Sequence, residues 1–244
     1  MPVIDTHTHF FPQEWIDLLE REGQAHGVTL GRNDSGAVTF ACPGIRQVFA
    51  RPFIDLGIRL KAMDQEGVDI HALSLTTPMV YWPKPEFGLK LAQTFNDACS
   101  AACVEHPKRF VGMAILPMQD TEFALGELER AARLPGMRGL YLGNQVNQNN
   151  LDDQSFFPVY AKCEAIGWPI FLHPIDPLGA ERLEKYYLRN LIGYPYSTAI
   201  AAASLIFGGV MDSFPKLDVV LPHAGGMFPP LIGRWDHGTE VREE

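Results

Sequence analysis

The chain has 244 residues, 46% hydrophobic and 20% charged, with 22 glycines and 19 prolines. That content excludes a disordered chain, a coiled coil and a disulfide-framework miniprotein, and it admits one large α/β domain with many turns. Lys and Arg number 20 against 29 Asp and Glu, a net charge of −9. With no basic run, neither nucleic acid nor an anionic membrane surface is an expected partner.

The opening segment Met1-Pro2-Val3-Ile4-Asp5-Thr6-His7-Thr8-His9 lacks a basic region and carries an acid and two histidines, unlike a signal peptide. Val3–His7 reads as a first strand. Residues 10–52, rich in Gly, Asn and Pro, read as an irregular insertion or small subdomain within a single domain of 1–244. From 53 to 67 a stripe of Ile54, Ile58, Leu60 and Met63 predicts a helix ended by Gly67. Strands are then predicted over 68–75, 110–116, 137–142, 169–173 and 217–222. Helices are predicted over 86–106, 120–134 with Asp120 as cap, 152–166, 181–191, 197–213 and from 227. Six strands, nearly all followed by helices, imply a parallel sheet, either an open doubly wound one or a barrel. No GxGxxG follows the first strand, which weakens a dinucleotide-binding version. Gly208-Gly209 and Gly225-Gly226 read as tight turns. The most apolar stretch, 199–211, is too short to span a bilayer. Cys42, Cys99, Cys103 and Cys163 form no CxxC and read as small buried residues in a reducing compartment. A cytoplasmic protein is expected.

His7 and His9, two apart at a strand end, present both rings on one face with Cα atoms about 6.6 Å apart, and Asp5 shares that face. Metal ligation and ordinary packing both fit an isolated HxH. Two more histidines shift the balance. His173 closes the apolar run Pro-Ile-Phe-Leu-His, and His223 closes Asp-Val-Val-Leu-Pro-His. In parallel α/β architectures the C-terminal strand ends form the active-site face. Four histidines from three such ends predict a convergent polar site. His26, His71, His106 and His237 lack that placement.

Asp-Thr-His-Thr-His on the first strand, His173-Pro174 and His223-Ala-Gly-Gly together resemble the amidohydrolase superfamily, in its decarboxylase branch of the aminocarboxymuconate semialdehyde decarboxylase type. Met63-Asp-Gln-Glu-Gly-Val-Asp69, Asn96-Asp97, Gly139-Leu-Tyr-Leu-Gly-Asn144 and Leu231-Ile-Gly-Arg234 extend the resemblance along nearly the whole chain. It implies a (β/α)8 TIM-type barrel with an N-terminal insertion. It implies His7, His9 and His173 as metal ligands, to Zn2+ with Mn2+ the alternative. His223 would be the catalytic acid/base handling the proton of metal-bound water. Arg46 would bind a substrate carboxylate, and Arg234 would reach the neighbouring subunit's site in a homodimer. Asp5 would orient a ligand imidazole from behind. Large side chains near the strand ends, such as Trp82, could wall the substrate site, with a core or lid role as the alternative.

The implied activity is non-oxidative loss of carbon dioxide from an unsaturated or aromatic carboxylic acid, a small-molecule substrate. A hydrolase or hydratase on the same site is the second reading, and a non-catalytic truncated barrel acting as an interaction subunit the third. The family pattern also has an aspartate at the end of strand eight, whereas six strands are countable here. Asp236 follows a helix and lies too close to His223 to be that residue. The last two βα units are therefore expected beyond Glu244, on the order of 80 residues for closing an eight-stranded barrel.

Overall fold

The computed structural model describes residues 1–241. The strands are β1 (Ile4–His9), β2 (Thr29–Arg32), β3 (Val38–Cys42), β4 (Ile45–Phe49), β5 (Ile70–Ser74), β6 (Phe110–Ala114), β7 (Met137–Gly143), β8 (Ile170–His173) and β9 (Val219–Val220). Six of them form one parallel sheet in the order β1-β5-β6-β7-β8-β9, each neighbour following its predecessor along the chain across a helical crossover. Residues Ala72, Leu73, Leu140, Leu142, Ile170 and Leu172 are buried, as expected where helices cover a parallel sheet. At the two outer strands, Ile4 on β1 is 50% exposed and Val220 on β9 is 37% exposed.

The sheet is curled. In a flat sheet β1 and β8 would lie four strand spacings apart, about 19 Å. Yet the rings of His7 and His173, at their C-terminal ends, are 5.1 Å apart. Only strong curvature closes that distance.

The segment 10–52 is more ordered than its Gly-, Asn- and Pro-rich composition suggests. It holds a helix, Gln13–Glu22, and an antiparallel sheet in the order β2-β3-β4. Phe11, Trp15, Phe40 and Phe49 are buried together, with Phe11 and Phe49 rings 4.2 Å apart, and they join the main core. Trp82 packs on Phe40 and Phe87 at 5.7 and 6.2 Å, so it seats the small sheet against the helix Pro85–Glu105.

Other predicted elements are corrected. The helix over 53–67 is broken at Asp55, which is extended and accepts from the Ile58 N–H to start Leu56–Glu66. Gly67, at φ 69°, ends it in a conformation that favours glycine. The predicted helix 197–213 is two helices, Tyr194–Phe207 and Val210–Ser213, parted at Gly208-Gly209. The predicted helix 181–191 is instead a loop with one short 3-10 turn and a π turn at Arg189–Gly193. Tyr186 and Tyr187 there have φ of 59° and 56°. With Tyr186, Tyr187 and Leu191 exposed, a helix would bury no apolar face to offset nucleation. The strand predicted over 217–222 narrows to Val219–Val220.

Asn96 explains its place in the sequence resemblance. Fully buried on Pro85–Glu105, it donates to the Ile115 carbonyl and to Glu127, and accepts from the Ile115 N–H, all between 2.6 and 3.0 Å. Glu127 in turn takes two bonds from Arg130. Asn96 thus clamps the chain just beyond β6. Asn96→Ala strands the buried N–H and carbonyl of Ile115, each worth about 1–3 kcal/mol, and takes one of three hydrogen bonds from Glu127. We expect a loss of about 3 kcal/mol or more, read as a lower urea midpoint at unchanged m.

Candidate metal centre

Period-two geometry puts His7 and His9 on one side of β1, and register does the rest. His9 pairs with Ser74 of β5, and Gly143 of β7 pairs with His173 of β8. Curling then brings the strand ends together. The ring centroids of His7 and His9 lie 5.0 Å apart, those of His9 and His173 4.9 Å. One nitrogen from each of His7, His9 and His173 lies within 4.8 Å of the others, so a single ion could touch all three.

His223 sits beside them, its ring 5.0 Å from that of His7 and 6.2 Å from that of His173. It follows β9 on strained backbone, with φ of 53° at His223 and 55° at Ala224. Gly226 completes the turn at φ 57°, where a Cβ would stand 2.6 Å from the Pro195 carbonyl oxygen. The Met227 N–H donates to that same carbonyl. The turn is thereby pinned to the helix Tyr194–Phe207. Tyr194 of that helix lies parallel to His223, centroids 6.5 Å apart.

Desolvation, greatest at buried His173 and least at exposed His223, makes these imidazoles harder to protonate. Desolvation, aided by His7, Arg59 and His223, pushes His9 down to about 3. Desolvation and the other histidines hold His173 well below the ordinary histidine range. Desolvation and His223 lower His7, and desolvation lowers His223. Neutral imidazoles are the form that binds a metal and accepts protons. The depressed folded values make these histidines stabilising above the unfolded value of 6.5 and costly below it. The metal-free protein therefore loses stability as pH falls below 6.5, and His9 alone accounts for up to about 1.4 kcal/mol per pH unit between 6.5 and about 3. Urea midpoints at pH 7.5 and pH 5 measure it; equal midpoints would contradict it.

The other sequence candidates are placed as follows. Asp5 is exposed and accepts from the His7 backbone N–H at 2.9 Å. Arg46 on β4 and Arg234 on the helix Phe228–Val241 are exposed, and neither bonds a site histidine among the described residues. Sequence reasoning missed four neighbours. Buried Arg59 donates to the His9 carbonyl and contacts His71 Nδ1 at 3.3 Å. Thr76 Oγ1 lies 3.3 Å from His173. Ser74 and Tyr141 lie against His9. Ser74 closes an apolar strand as His173 does, so the same signal could have found it; Arg59, inside a helix, gave none.

A sequence model described as amidohydrolase matches residues 4–244. The chain is 39% identical, over 99% of its length and 68% of the relative's, to a 2-amino-3-carboxymuconate-6-semialdehyde decarboxylase of Dictyostelium discoideum. Among solved structures it is similar to apo IDCase of Metarhizium anisopliae, with a TM-score of 0.86, 25% identity and coverage of 99% of this chain and 70% of that one. It is also similar to the 5-carboxyvanillate decarboxylase of Novosphingobium aromaticivorans, crystallised with manganese and a nitrobenzoic acid, with a TM-score of 0.77, 26% identity and coverage of 99% and 72%.

Proposed function

We propose that this chain, which belongs to the amidohydrolase family, is a metal-dependent decarboxylase of an unsaturated or aromatic carboxylic acid. The observation that carries the reading is the convergence of His7, His9 and His173 with His223 alongside. Three neutral nitrogen donors on curved, buried strand ends suit a divalent cation, and we read it as zinc, with manganese the second choice given its presence in a similar enzyme. When bound, such an ion acts as a Lewis acid on oxygen ligands.

The chain's own groups do the rest. Loss of carbon dioxide leaves an electron pair on carbon, so a proton must arrive there. His223, its pKa lowered by partial desolvation and its ring outside the three-ligand set, takes up a proton and returns it. Arg46 and Arg234 hold substrate carboxylates in a protein of net charge −9, Arg234 across a homodimer. Asp5 fixes the His7 backbone. We read the six strands as part of a (β/α)8 barrel, supported by their consecutive order, their curl and the apolar side chains exposed on β1 and β9. We place the protein in the cytoplasm; among the described residues no helix is long and apolar enough to cross a membrane.

Purified protein is assayed for metal content and for carbon dioxide release from a panel of hydroxybenzoates and muconate-type acids. We expect about one divalent ion per chain and release that a chelator stops. Metal-free protein that gains no such activity with added zinc or manganese would refute the reading. Gain of water in the product would favour a hydrolase or hydratase instead.

A further inference from the structure

Resting on the reading that His9 is a metal ligand, we propose that Ser74 and Tyr141 are positioning residues that hold the His9 proton on Nδ1 and so leave Nε2 as the nitrogen offered to the ion.

Ser74 is fully buried and stands directly opposite His9 in the β1–β5 register. Its hydroxyl donates to the Thr8 carbonyl at 2.7 Å. A serine hydroxyl has one donor and two acceptor positions. With the donor spent on Thr8, Ser74 meets His9 Nδ1, 3.4 Å away, only as an acceptor. That contact requires the proton on Nδ1. A neutral imidazole then has its lone pair on Nε2.

The second lone pair of Ser74 calls for another donor, and Tyr141 is placed to supply it. Tyr141 is 1% exposed, and its ring lies 6.2 Å from that of His9 and 5.7 Å from that of His173, beneath both. Its hydroxyl is buried without a hydrogen-bond partner, and Ser74 is a polar side chain beside it. A phenol is protonated at neutral pH, hence a donor. A bond from Tyr141 O–H to Ser74 Oγ would satisfy every group: phenol to serine, imidazole Nδ1–H to serine, serine to Thr8.

Metal-free protein labelled with 15N-histidine, at a pH where His9 is neutral, reports the tautomer through long-range proton–nitrogen correlations. We expect Nδ1–H in the wild type and a mixture in Ser74→Ala. Zinc affinity, read by chelator competition, falls by about 10- to 100-fold in Ser74→Ala. In Tyr141→Phe, which keeps the buried ring and removes only the proposed donor to Ser74, it falls about 2- to 10-fold. A residue with a merely structural role would lower the unfolding midpoint while leaving tautomer and affinity unchanged. A wild-type His9 carrying its proton on Nε2 overturns the assignment, even if Ser74→Ala fails to fold. Wild-type zinc affinity in Tyr141→Phe removes Tyr141 from it. Zinc that binds neither wild type nor variants, with His9 still in the Nδ1–H form, refutes the metal reading and leaves this hydrogen-bond assignment standing.

Discussion

His173→Ala is expected to abolish tight metal binding and lower turnover by at least about 10³-fold, the equivalent of several kcal/mol of lost Lewis-acid stabilisation. His173 is 5% exposed and supplies one of three nitrogens that meet within 4.8 Å. Removing it leaves the His7–His9 pair on one strand, with nothing facing them from β8. The backbone has no stake in the imidazole, because the β7–β8 ladder bonds remain. The metal-free variant is therefore expected to fold, and to resist acid slightly better than the wild type, since one deeply buried base is gone. Metal content after dialysis and steady-state kinetics check the first part, and urea midpoints at two pH values the second. A variant that kept one ion per chain would remove His173 from the ligand set.

Substitution at His223 separates proton transfer from metal binding. His223→Asn is the preferred variant, because φ of 53° suits asparagine better than alanine. Its ring is 5.0 Å from that of His7 yet outside the three-ligand cluster, so metal content should hold at the wild-type level. Turnover is expected to fall by roughly 10²–10⁴-fold, the usual worth of a positioned acid/base. If His223 is the acid/base, the acidic limb of the kcat profile should disappear with it. Full activity in this variant would reassign the role; loss of metal would make His223 a fourth ligand.

The parts of this protein legible in its sequence are those decided by strand chemistry. A polar residue closing an apolar run stands out, and His173 and His223 were found that way before any geometry. Alternation placed His7 and His9 on one face for the same reason. The order of βα units was readable from periodicity, and Asp120 as a cap from its side chain, which accepts from Phe123 N–H. What was not readable depends on tertiary context. The insertion is dense in Gly, Asn and Pro, but three short strands form there because Phe40 and Phe49 bury against Phe11 and Trp15. Loop 181–191 has helical periodicity but no core to face. Arg59 and Tyr141 matter through who lies across the curled sheet from them, and sequence spacing carries no trace of that curl.

That curl also has a kinetic meaning. His7 and His223 stand 216 positions apart, and their meeting requires every intervening strand to have taken its register. Contacts of such separation form late, after the loop-closure entropy of the whole sheet has been met. Metal capture should accordingly be a terminal event of folding: an ion finds its three nitrogens only on chains whose sheet is already assembled. Added metal would then slow unfolding without hastening refolding, and the rate at which a refolding sample acquires metal would time completion of the sheet rather than its beginning.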